Sequence, residues 1–182
     1  MMNLLVRHPS DEFFVRAIAI KILLGFFSIA PLTQAAESTL CASDENIIFS
    51  CELKNKKIVS VCSSNSHKQG HMDYRFGKKS KVELSYSANT QLPTQKFHRG
   101  EIVYANNSED VLWFKKGHYR YTVYSPTRGA PGLSVALNGD VITRLECNNS
   151  GGGTTDSPKT SSPFIVEHGT ADLMTFEESW KD

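Results

Sequence analysis

Nowhere in this chain do apolar residues run on for the roughly 20 positions that a membrane-crossing helix requires. Also missing are the short motifs that announce catalysis or nucleotide binding. There is no H-E-x-x-H, no nucleophile elbow, no phosphate loop and no dinucleotide fingerprint. The four cysteines are never spaced C-x-x-C, which argues against zinc knuckles and thioredoxin-like redox sites. Excess charge is absent too: 20 Lys+Arg against 19 Asp+Glu leave a formal net charge of +1 over 182 residues. A chain so nearly neutral is not steered as a whole toward nucleic acid or a membrane surface.

What is present begins at the N-terminus. Arg16 and Lys21 precede an apolar run from Ile22 to Leu32, and small residues Thr33 and Ala35 follow at the −3 and −1 positions of a cleavage site before Ala36. Cation, short apolar core and small-residue site in that order make residues 1–35 a secretory signal, with no transmembrane anchor left after cleavage. Asp11 and Glu12 are out of place ahead of such a core. A GTG codon at Val15, read as the initiator, gives a compact signal that starts there.

Between about Asn46 and Cys147 apolar and polar residues alternate in short runs separated by turn residues, the pattern of strands joined by hairpins. Runs at Ile47–Cys51, Lys57–Ser63, Met72–Phe76, Val82–Ser87, Phe97–Tyr104, Val111–Lys115, His118–Ser125, Leu133–Leu137 and Val141–Cys147 predict eight to nine short strands. Asn138-Gly139 is the strongest hairpin signal among them. The expected fold is all-β, an antiparallel small barrel or sandwich of residues 36–147.

From Asn148 the composition changes. Residues 148–163 are rich in Gly, Ser, Thr and Pro, as flexible linkers are. Beyond them, Leu173, Phe176 and Trp180 lie at i, i+3 and i+7 after a Thr170 cap, so a short helix could present them together; a frayed terminus, docking onto the body and a partner-binding peptide are the readings open for this end. Residues 36–147 hold 15 Lys+Arg and 11 Asp+Glu, whereas 148–182 hold 2 and 6. Opposite signs favour a loose, salt-sensitive association of tail and body. On this reading residues 148–182 are a flexible linker and acidic tail, and truncation at Asn148 leaves the fold intact.

Cys41, Cys51, Cys62 and Cys147 are an even set that lies wholly after the cleavage point, which in an oxidising compartment means two disulfides. Three pairings are open. A four-residue loop between the first two strands favours Cys51 with Cys62, leaving Cys41 with Cys147 to close a long loop at a gain of roughly 4–5 kcal/mol. With no thiol left over, a Cys–His nucleophile has no support.

Candidate sites are few. His67, His71, His98 and His118 sit on or beside predicted loops, and H-x-x-x-H-x-D from His67 to Asp73 is the one string with metal-ligand character. Solvated loop histidines explain it as well, and neither a metal nor a cofactor is expected. Glu109-Asp110 reads as a solvated turn pair. The better surface features are Ser125–Gly132, a loop restrained by Pro126 and Pro131 from which Arg128 projects, and the basic set Arg75, Lys78, Lys79 and Lys81 around a tight turn. Restrained loops lose less entropy on binding, and the basic turn fits an anionic partner; a plain hairpin connector and an ordinary solvated turn are the competing readings of the two.

The string Phe49-Ser50-Cys51-Glu52-Leu53-Lys54-Asn55-Lys56-Lys57-Ile58-Val59-Ser60-Val61-Cys62, followed by Tyr74–Lys79 and Glu83–Tyr86, resembles a recurring pattern in small exported bacterial proteins. Val111-Leu112-Trp113-Phe114-Lys115-Lys116-Gly117 is similar to a strand end of the periplasmic lysozyme inhibitors, which are small disulfide-linked β-barrels. The serine-and-glycine inhibitory motif of that family has no counterpart here, so no site residue follows from the similarity. The resemblance implies compartment and fold more than activity: an exported, periplasmic or secreted, β-rich protein. Binding of another macromolecule, as inhibitor or immunity protein, is the expected mode of action. The expected partner is a protein or an anionic envelope component. An envelope enzyme or metal-binding protein is the alternative.

Overall fold

The computed structural model describes residues 38–64, 70–148 and 162–172. The signal segment, the start at Val15, His67, most of the linker and the expected helix at Leu173, Phe176 and Trp180 lie outside these residues. The described part is all-β: β1 (Glu45–Glu52), β2 (Ile58–Ser64), β3 (His71–Lys78), β4 (Lys81–Asn89), β5 (Phe97–Tyr104), β6 (Asn107–Lys116), β7 (Tyr119–Pro126), β8 (Gly132–Leu137), β9 (Asp140–Glu146) and β10 (Ile165–Asp172).

Two sheets result, ordered β1-β2-β3-β4 and β10-β5-β6-β7-β8-β9. Hairpins join every consecutive pair within a sheet, so β1 to β4 and β5 to β9 each pair antiparallel with their sequence neighbours in the same sheet. The turns follow their residues. Asn138 (φ 51) and Gly139 (φ 98) form a two-residue connection with both backbones left-handed, the geometry whose twist matches the flanking strands.

Period-two alternation sends one face of each sheet into a shared core. Phe49, Cys51, Leu53, Val59, Val61, Met72, Tyr74 and Ala88 from the first sheet meet Phe97, Leu112, Phe114, Val123 and Leu133 from the second. Phe114 is the aromatic hub, with the Tyr86 ring stacked at 4.1 Å and Tyr74 at 4.9 Å. One corner is pinned: Leu53 bridges Cys147, and the Lys54 amide donates to the Glu146 carbonyl. The sheets are not otherwise joined edge to edge. The architecture is therefore a sandwich, and the barrel half of the expectation is corrected.

The tenth strand was not among the eight to nine expected. Residues 165–172 of the expected linker and tail lie at the edge opposite β9 and pair with β5 in parallel, Val166 opposite His98 and Ala171 opposite Ile102. Phe164 just before it is 7% exposed and belongs to the core cluster.

The disulfides are Cys41–Cys62 and Cys51–Cys147, not the favoured pairing. Lys56 adopts φ 65 and closes the β1–β2 connection early, with the Leu53 amide bonded to the Lys57 carbonyl. That register sets Cys51 opposite Val59 and Cys62 opposite Ile47. Cys51 then faces the core, where Cys147 waits, while Cys62 faces outward toward the lead-in.

Candidate functional site

The β1–β2 and β3–β4 turns lie at the same end of the first sheet, because Ile58 pairs with Gly77. The Leu53–Cys147 bridge brings the end of β9 to the same place, and the Cys147 amide bonds the Pro131 carbonyl of the β7–β8 loop. This end gathers cations. Three are neutralised: Lys54 by Glu146, Lys56 by Glu52 and Lys57 by Glu83. Lys78, Lys79 and Lys81 are exposed and make no ion pair among the described residues. Their turn depends on Gly77, whose φ is +149 and where a Cβ would lie 2.4 Å from the Lys81 carbonyl oxygen.

Arg128 projects from the same end. Its backbone is gripped twice by Asn107, which accepts from the Arg128 amide at 2.9 Å and donates to its carbonyl at 3.0 Å. The Thr127 amide bonds the Ser108 carbonyl at 2.7 Å. The restrained loop expected from the two prolines is thus anchored to the β5–β6 hairpin, with the Arg128 side chain exposed.

Arg75 does not belong to this surface. It points from the outer face of the first sheet into a clamp, donating to both Glu45 carboxylate oxygens at 2.6 and 2.8 Å, to Asp73 at 2.7 Å and to the Leu40 carbonyl at 3.0 Å. Burial raises the Glu45 pKa, but hydrogen bonds from Arg75, His71 and the Ala42 amide outweigh it and hold the carboxyl at about 2. His71 reaches Glu45 at 2.8 Å, so the metal-like string resolves into Glu45, His71 and Asp73, with ligand atoms within 4.8 Å of one another. The Arg75 guanidinium already supplies the positive charge there, which leaves this cluster an ion-pair network and not a cation site.

Two other expectations are revised. Glu109 is not in a turn. It lies on β6 at 5% exposure and accepts from Arg144 at 2.8 Å, while the Arg144 guanidinium lies over the Tyr124 ring at 3.8 Å. His98 lies on β5 and meets His168 of β10, a residue that no motif or spacing singles out. His98 Nδ1 and His168 Nε2 are 2.9 Å apart, and both rings lie against the Trp113 indole. Burial, the neighbouring His168 and Lys115 together lower the His98 pKa. No family model, curated protein or solved structure matches this chain.

Proposed function

We propose that this chain is exported under residues 1–35 as a cleaved signal and works in the periplasm or outside the cell by binding an acidic face of another protein. The observation that carries the reading is the contrast at the basic end. Lys54, Lys56 and Lys57 each have an acidic neighbour, whereas Lys78, Lys79, Lys81 and Arg128 project without one among the described residues. Cations left unpaired on a stiff turn and a pinned loop steer an anionic partner and fix its register with little ordering cost. Two disulfides among four cysteines fit an oxidising compartment. Inhibition of an envelope enzyme, or immunity against a toxin, is the form of this function nearest to the lysozyme-inhibitor resemblance.

The test is retention of a partner from periplasmic and culture-supernatant fractions on the wild-type protein and on a variant carrying Lys78→Glu, Lys79→Glu and Lys81→Glu. The expected result is a discrete protein held by the wild type at low salt, released by salt, and not held by the variant. Equal retention by both removes the basic end from the account.

A further inference from the structure

We propose that His98 and His168 form a two-histidine site for a divalent first-row transition-metal ion, with Cu(II) preferred. The two imidazoles come from strands 70 positions apart in sequence and converge only because β10 pairs with β5 in parallel. Their facing nitrogens, His98 Nδ1 and His168 Nε2, are 2.9 Å apart. Neither ring is engaged by a carboxylate among the described residues: nearby Glu167 is taken by Arg99, and Glu101 accepts from Thr170. Neutral imidazole is the form that binds metal, and Cu(II) stands highest in the divalent affinity order.

The 2.9 Å between the nitrogens is the length of the hydrogen bond that now joins them. Two metal–nitrogen bonds of about 2.0–2.1 Å set the nitrogens about 2.9 Å apart at a right angle and about 3.3 Å apart in a tetrahedral complex, so either is reached by a small shift and the preference for Cu(II) rests on the divalent affinity order. Binding requires the rings, whose centroids are 5.1 Å apart, to turn so that both lone pairs aim at a shared point. The hydrogen now between them moves to the remote nitrogen of its own ring, so each imidazole stays neutral and the balance closes without an added reactant. Water fills the remaining positions.

Trp113 makes this a built site. It is 4% exposed, and its ring lies 5.4 Å from His98 and 5.0 Å from His168, a wall on one side of both imidazoles. His168 itself is exposed, which leaves the other side open to an incoming ion. A bound ion would join β5 to β10, coupling metal occupancy to attachment of the last strand.

Trp113 also supplies the readout, because bound Cu(II) quenches an indole at this range. The experiment uses the full, disulfide-intact chain with Trp180→Phe, which leaves Trp113 as the sole tryptophan. After chelator treatment it is titrated with Cu(II) and with Zn(II). The expected result is saturable quenching by a single equivalent of Cu(II), weaker binding of Zn(II), and loss of saturation in His98→Ala and in His168→Gln. The glutamine at position 168 keeps a hydrogen-bonding side chain on the exposed strand, so β10 stays attached while the metal is lost. His71→Ala should leave the titration unchanged. Absence of saturable quenching in the parent, its survival in His168→Gln, or its loss in His71→Ala overturns the proposal.

Discussion

The lead-in at residues 38–44 and the strand β10 are both separate segments laid onto a sheet that hairpins have already built, and they are attached by opposite means. The lead-in crosses the outer face of the first sheet, where no ladder is on offer. Side chains must satisfy its backbone. Ser60 accepts from the Leu40 amide at 2.9 Å, Ser50 donates to the Ser38 carbonyl at 2.8 Å, and Arg75 donates to the Leu40 carbonyl. The Cys41–Cys62 disulfide then fixes it covalently. β10 takes the edge of the second sheet, where the β5 backbone supplies the partners directly. Its side-chain contacts are surface pairs, Arg99 with Glu167 and Thr170 with Glu101, plus the buried Phe164. A segment on a face needs dedicated buried polar residues; a segment on an edge needs almost none and comes away more easily.

The largest effect expected concerns the covalent bolts. Replacing both Cys51 and Cys147 with Ser opens a loop of sequence separation 96 and should cost about 4–5 kcal/mol, against about 3 kcal/mol for the Cys41–Cys62 pair with separation 21. Denaturant midpoints under oxidising conditions rank the two, and a reversed order breaks the view that the lead-in bolt is the local one. Glu45→Gln comes next, at about 2–3 kcal/mol near neutral pH, because it removes the carboxylate that Arg75, His71 and Ala42 all serve. A carboxyl held at about 2 when folded and at 4.5 when unfolded contributes fully above 4.5, and that contribution fades as pH falls toward 2. Acid unfolding of the variant should therefore lose this part of its pH slope.

On the β10 side, Phe164→Ala should weaken attachment by about 2 kcal/mol. Hydrogen exchange in β5 should quicken while β6 and β7 stay protected. Uniform loss of protection instead shows that β10 is as integral as the lead-in. The smallest effect belongs to Gly169, whose φ of +68 sits at the register shift between Glu167 and Thr170. Gly169→Ala strains that backbone by about 1 kcal/mol, and the same exchange measurement reads it.

The strands β1 to β9 were legible because each carries its own alternation and a turn that ends it, with Asn138-Gly139 the clearest. β10 was not, since Ile165-Val166-Glu167-His168-Gly169-Thr170 lacks strict alternation and its partner lies some 70 positions earlier. Pairing of that kind leaves no local mark. That Lys78, Lys79 and Arg128 lie exposed at turns was legible from charge and turn chemistry alone. Arg75 was misplaced because sequence proximity to those lysines concealed its position on the face that the lead-in covers. The cysteine pairing turned on Lys56 adopting a left-handed backbone, which no composition argument reveals for a lysine.

The two disulfides interleave: the first cysteine joins the third, and the second joins the fourth. A chain that oxidised its thiols in order of synthesis would join Cys41 to Cys51 and be trapped. The native pairs therefore depend on timing. The β1–β2 hairpin must set its register before Cys62 reacts, and Cys51 must wait as a free thiol until nearly a hundred more residues have been made. Such a protein relies on a cell that can reshuffle wrong bonds, and its yield in a foreign host should track disulfide isomerase activity more than oxidising power.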